Sequence, residues 1–184
     1  MPILPDQPET VPADLFEADR PADGLRWYVA HTRPRQEKAL ARELERLQLP
    51  FYLPCQRKRT RVGGSVVLVA RPMFPGYVFV RTVEPEKWRI QATKRVASLL
   101  EVGDQDRLWK DLHRVRGVLD LGRPITPVLK LEPGTPVTLR AGPLAGMSGT
   151  IIQRASGFTF VVKVDFIQQG IGVTVDGEWI GIAG

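Results

Sequence analysis

The side chains with the most chemistry to offer in this sequence are cations, and their spacing suits binding rather than turnover. Arg35, Lys38, Arg42 and Arg46 recur at intervals of three and four, the spacing of one helix face. Arg57, Lys58, Arg59 and Arg61 crowd a second stretch, and Arg33, Lys94 and Arg95 add to the total. The net charge of +6 is unevenly placed. Residues 1–24 hold six acids against one base, whereas residues 25–61 hold ten bases against three acids. A basic segment of that size suits a polyanion such as nucleic acid, and it equally suits a solvated charged face. Catalytic sets are missing. His31 and His113 lie far apart in sequence, and neither a phosphate-cradling glycine loop nor a nucleophile elbow is present. Cys55 is the only cysteine, so neither an internal disulfide nor a cysteine metal cluster is expected. The reading is therefore not an enzyme, with no metal and no cofactor. With no apolar run long enough to span a bilayer and no apolar leader, a cytoplasmic location is expected.

A second candidate site is the run Arg71-Pro72-Met73-Phe74-Pro75-Gly76-Tyr77-Val78-Phe79-Val80. Pro75 fixes its own φ and pushes Phe74 into an extended conformation. The aromatic and β-branched residues that follow suit a strand. Alternate residues of a strand face opposite ways. Val78 and Val80 are expected as core beneath helices, with Tyr77 and Phe79 outward.

The rest of the chain must position these two sets. Residues 1–24, rich in Pro and acids, read as a disordered acidic tail. Leu25–Ala30 reads as a first strand. Arg35–Leu47 reads as an amphipathic helix, with Leu40, Leu44 and Leu47 on one face. Residues 55–70 read as a hairpin turning at Gly63-Gly64. A short helix is expected near Glu84–Ala92, a strand over Val96–Val102, and a longer helix carrying Leu108, Leu112, Val115 and Leu119. Pro124, Pro127 and Pro133 mark residues 123–132 as a linker. Short strands with glycine turns then fill residues 133–184, which suggests a small β-barrel. The fold class is α+β: an N-terminal sandwich of mostly antiparallel sheet with helices, over residues 25–122, linked to a C-terminal barrel.

Three features in this order resemble the NusG family of transcription elongation factors. They are Trp27-Tyr28-Val29 followed by the basic helix, then Met73 to Val80, then Pro133-Gly134-Thr135-Pro136-Val137 with Ala141-Gly142-Pro143-Leu144-Ala145-Gly146-Met147-Ser148-Gly149-Thr150-Ile151. The third is similar to a KOW motif, for which Gly142, Pro143, Gly146 and Gly149 are the motif positions and an SH3-like barrel the implied fold. The resemblance implies a non-enzymatic factor that docks on the clamp helices of RNA polymerase. Carried over by position, the docking residues are His31, Phe74, Pro75, Tyr77, Phe79, Leu99 and Val102. Upstream or non-template DNA would meet Arg33, Arg35, Lys38, Arg42, Arg46, Lys94 and Arg95. The KOW domain would meet Rho or a small-subunit ribosomal protein, through apolar residues such as Leu144, Met147, Phe158 or Ile167. The basic helix, the short hairpin and the divergent C-terminus near Gly177-Glu178-Trp179-Ile180 suggest a specialised, RfaH-like paralogue acting by antitermination on particular operons, whereas Arg89, Ile90 and Gln91, between Trp88 and Thr93, do not match the polar segment with which such members face the polymerase gate loop. A ribosome- or RNA-associated KOW protein is the alternative. The glycines of that motif are expected at positive φ in tight turns.

Overall fold

The computed structural model describes residues 8–17 and 23–182. The chain divides into two compact units, Met1–Gln105 and Asp106–Gly184.

The first unit runs β1 (Thr10–Val11), β2 (Arg26–Thr32), α1 (Glu37–Arg46), β3 (Phe51–Tyr52), β4 (Cys55–Val62), β5 (Ser65–Pro72), β6 (Tyr77–Thr82), α2 (Lys87–Gln91) and β7 (Val96–Glu101). Five strands form one antiparallel sheet in the order β1-β3-β6-β2-β7, and β4 and β5 form a separate two-stranded ribbon. The leucine spacing of α1 sets one face of the sheet. Leu40, Ala41 and Leu44 of α1 are buried with Ala30, Phe51, Val78, Val80 and Ile90. Val78 and Val80 therefore lie under the helical layer, as their alternation along the strand required. Tyr28 shares that face through its pairing with Val80. Its hydroxyl donates to a Glu84 carboxylate oxygen at 3.0 Å, and Lys87 Nζ meets Glu84 and Glu101, each at 2.7 Å. This group ties the start of α2 to the sheet. Burial, then the bond to Glu84, raise the Tyr28 hydroxyl above its ordinary value, so the group is an anchor with no acid to offer near neutrality.

The opposite face of the sheet carries a cover that the composition hid. Residues 8–17 fall in the expected disordered tail, yet they are packed: β1 pairs with β3, Leu15 is buried, and Phe16 packs on Trp27 and edge-on to Tyr52 with centroids 6.4 and 4.8 Å apart. Two apolar side chains and a short edge pairing outweigh the acidic composition around them. Residues 1–7 and 18–22 of that expected tail lie outside the described residues. Asp23 is also engaged. It accepts both Arg81 terminal nitrogens at 3.0 and 2.6 Å, while that guanidinium lies 5.6 Å from the centre of the Trp27 ring. Arg81 is only 3% exposed, so the pair neutralises a charge that burial would otherwise make costly.

The second unit follows from α3 (Gln105–Leu119) through β8 (Ile125–Val128), β9 (Thr135–Leu139), β10 (Ser148–Arg154), β11 (Gly157–Val164), β12 (Gln169–Val175) and β13 (Ile180–Ile182). Its strands form a six-stranded antiparallel sheet in the order β13-β9-β10-β11-β12-β8. Among the described residues, mostly antiparallel sheets with three α-helices match the expected α+β class and its small C-terminal β domain. Two details differ from the expected layout. Residues 125–128, read as linker, are β8 and pair along β12 from Ile125↔Val173 to Val128↔Gly170. Pro127 does not prevent this, because an edge strand needs ladder bonds on one side only. The second compact unit begins at Asp106, within the long helix α3, read as part of the first domain. Buried Asp111 of α3 accepts the Asp165 backbone N–H at 2.9 Å and pairs with Arg114, while Arg107 reaches Asp165 at 3.1 Å.

Candidate docking face and nucleic-acid interface

The turn before β6 is built by its sequence. Tyr77 N–H donates to Phe74 O at 3.1 Å, with Pro75 second and Gly76 third at φ +87°. That is a type II turn, in which the third residue needs a positive φ and glycine supplies it without steric cost. Gly76 N–H donates to Glu37 Oε1 at 2.7 Å, and Thr32 N–H donates to Gly76 O at 2.8 Å. The turn is thereby clamped to the start of α1 and the end of β2. Its rigidity holds the His31 and Tyr77 rings stacked, 5.2 Å apart at 28°.

Strand register decides which expected docking residues share a face. His31 pairs with Tyr77 on one side and Ser98 on the other, and Val29 pairs with Phe79 and Leu100. The sheet face away from α1 thus presents two adjacent rows, Tyr77-His31-Ser98 and Phe79-Val29-Leu100. Leu99 is not on it. It pairs with Ala30 and packs against the core under α1, so its side chain lies on the opposite side from His31. The neighbouring Leu100, 37% exposed, occupies the position that Leu99 was expected to fill. Counting by twos from Val29 across its β7 partner would have found it, but the register between β2 and β7 is not written in either strand alone.

Exposure divides the set again. His31 is exposed and Tyr77 half-buried, and Pro75 is exposed at the corner of the turn. Phe74, Phe79 and Val102 are buried, against the expectation that Phe79 points outward into a pocket. Phe74 and Phe79 meet edge to face at 6.1 Å, so the two rings satisfy each other. The surface that a partner can touch on this face is His31, Tyr77, Ser98 and Leu100, carried on a floor of buried aromatics.

The expected nucleic-acid residues fall into two groups. Arg33 N–H donates to Arg95 O at 2.8 Å, which brings Arg33, Arg35, Lys94 and Arg95 together where β2 ends and β7 begins. Arg33, Arg35 and Lys94 are exposed there. Arg95 is held down by Gln36 Oε1 at 2.6 Å. Arg35, expected on the helix face, precedes α1 at φ +59° and so leaves the stripe formed by Lys38, Arg42 and Arg46. Arg46 pairs with Glu43 at 2.9 Å, which offsets part of that stripe.

In the second unit, Gly142 and Gly146 take positive φ in the turn after β9, as expected of the KOW positions, with Pro143 between them. Gly149 differs: it lies within β10, opposite Val137, where the Phe160 ring and the Val161 carbonyl leave no room for a side chain. Leu144, expected as a contact residue, is buried, whereas Phe166, next to Ile167, is exposed. Met147, Phe158 and Ile167 are half-buried.

Asp165 binds this unit electrostatically. The Lys163 ammonium at 2.9 Å, and more weakly Arg107, hold its carboxyl below the ordinary carboxylate value despite partial burial. A depressed folded pKa contributes stability that is present above the unfolded value of about 3.9 and is lost as pH falls through the folded one. Asp165→Asn is therefore expected to lower the melting temperature at pH 7 and to lower it less at pH 2.5. An equal deficit at both values would show that the ion pairs contribute nothing.

The family model described as "Transcription termination factor nusG" matches residues 25–121. No curated protein matches the chain in sequence. Among solved structures the chain is similar to one titled "Domain interaction in Thermotoga maritima NusG", at 18% identity and a TM-score of 0.49, covering 85% of this chain and 96% of that one. The family match spans more than half of the sequence and contains the Phe74–Tyr77 turn, the His31–Tyr77 stack and the cations around Arg33, so the chain belongs to the NusG family of transcription factors.

Proposed function

We propose that this protein is a transcription elongation factor that docks on RNA polymerase through the His31-Tyr77-Leu100 face and meets upstream or non-template DNA through Arg33, Arg35 and Lys94. One observation carries the reading. A half-exposed aromatic stack and an exposed leucine share one sheet face, seated on buried Phe74 and Phe79. Amphipathic helices dock on such faces by inserting apolar anchors, and aromatic residues supported by a packed floor dominate such interfaces. The clamp helices are the partner that family membership supports. Lys38, Arg42 and Arg46 extend the cationic surface along α1. The second unit, with exposed Phe166, is the surface offered to Rho or a small-subunit ribosomal protein. The finer assignment is a specialised, RfaH-like paralogue working by antitermination, motivated by the basic helix, the short hairpin and the divergent C-terminus around Trp179.

Co-purification with core RNA polymerase tests the docking face. His31→Ala with Tyr77→Ala removes accessible rings without opening the core, and is expected to weaken retention at least tenfold, each hot-spot side chain contributing about 1–2 kcal/mol. Undiminished retention would remove this face as the docking site.

A further inference from the structure

The ribbon of β4 and β5 is used neither by the sheet nor by the docking face. We propose that it is a second nucleic-acid site, an arm that enters the major groove of duplex DNA. Gly63 and Gly64, at φ +56° and +85°, close it with a two-residue turn of the kind that matches strand twist. Eight residues a side give an arm of about 27 Å at about 3.4 Å per residue. Its charge has one sign. Residues 55–72 contain Arg57, Lys58, Arg59, Arg61 and Arg71 and no carboxylate. Arg57 is anchored to Glu9 at 3.1 Å, whereas Lys58, Arg59, Arg61 and Arg71 are exposed and make no ion pair with a described residue.

Register sorts these side chains. Arg59 lies opposite Leu68 and Arg61 opposite Val66, so guanidinium and aliphatic groups share one face of the ribbon. Leu68 is 57% exposed and Val66 59%. A lone two-stranded ribbon with bare apolar side chains is marginal in water unless something covers it. Charge complementarity selects the occupant. A polyanion answers four unpaired cations, and the major groove, about 12 Å wide, admits a two-stranded ribbon while offering thymine methyl groups to short aliphatic side chains. A membrane surface fits less well, because interfacial segments carry aromatic anchors and residues 55–72 have none. Duplex RNA fits less well too, since its major groove is deep and narrow.

The test uses the full chain and fluorescence anisotropy with a 24-base-pair DNA duplex, an RNA duplex of the same sequence and anionic phospholipid vesicles, across a salt series. Arg59→Ala with Arg61→Ala is expected to weaken DNA binding about tenfold and to reduce the slope of log K against log salt by about 1.8, the loss of two phosphate contacts. Arg59→Lys with Arg61→Lys is expected to keep the slope. Because these side chains are exposed, the circular dichroism spectrum and melting temperature should stay those of the parent. Arg42→Ala with Arg46→Ala serves as the comparison for α1. Unchanged DNA affinity and slope in the Arg59/Arg61 alanine variant would overturn the proposal. So would RNA duplex bound as tightly as DNA, or a loss confined to vesicles. This readout needs no polymerase, so it can fail while the docking face stands, and the reverse.

Discussion

Phe74→Ala is expected to lower the stability of the first unit by about 3–5 kcal/mol, the usual range for truncating a fully buried aromatic. Phe74 is 1% exposed and its ring meets Phe79 edge to face at 6.1 Å. Removing it deletes apolar contact and leaves Phe79 facing a void. The backbone around it cannot easily collapse into the space. Pro75 and Gly76 set the turn, while Gly76 is bonded to Glu37 and Thr32. Urea denaturation followed by tryptophan fluorescence measures the effect, and a loss below about 1 kcal/mol would show that the ring is not part of the core. The result also governs how functional variants are read. A polymerase-binding defect in Phe74→Ala reports folding, whereas one in His31→Ala with Tyr77→Ala reports contact.

Gly142→Ala is expected to destabilise the second unit by about 2–5 kcal/mol. Two costs combine. At φ +79° an L side chain is strained by about 1–2 kcal/mol. The added methyl group would also lie 2.5–2.7 Å from the Trp179 ring, and relieving such overpacking costs about 1–3 kcal/mol. Trp179 cannot swing away without loss, because the Arg123 guanidinium sits 5.2 Å from its ring centre and its carbonyl accepts the Arg140 N–H at 2.8 Å. Calorimetry of the full chain should show one transition lowered while the other stays in place. Gly146→Ala, where the space is open, should lose only the backbone part. Equal effects at both glycines would rule out the Trp179 contact as the cause.

Local rules were the legible part of the sequence. The leucines of α1, the Gly63-Gly64 hairpin and the burial of Val78 and Val80 all follow from periodicities of 3.6 and 2, which need no knowledge of distant partners. What stayed hidden depends on pairing. Leu99 and Leu100 are both leucines on β7, and only the register with Val29 and Ala30 tells which one faces His31. Residues 8–17 look solvated by composition, and their fate rests on Phe16 finding Trp27 and Tyr52. β8 looks like a proline-rich connector until β12 offers it an edge. Phe79 looked like an outward aromatic because nothing nearby in sequence announces that Phe74 turns back onto it. The cations were legible as a set, but Arg35 and Arg46 show that a helical stripe in sequence is thinned by a backbone turn and an internal ion pair.

The two-residue strand β1 has a consequence for how the protein keeps to itself. Sheets grow by adding strands to exposed edges, and short or charged edges discourage that growth. By lying on the outer edge of β3, residues 10–11 occupy amide and carbonyl groups that another chain would otherwise recruit, and they are too short to offer a long template in turn. A version of the chain begun at Leu25, just before β2, would bare that edge together with the Tyr52 and Trp27 rings that Phe16 packs against. The amino-terminal segment thus closes the β3 edge of the sheet.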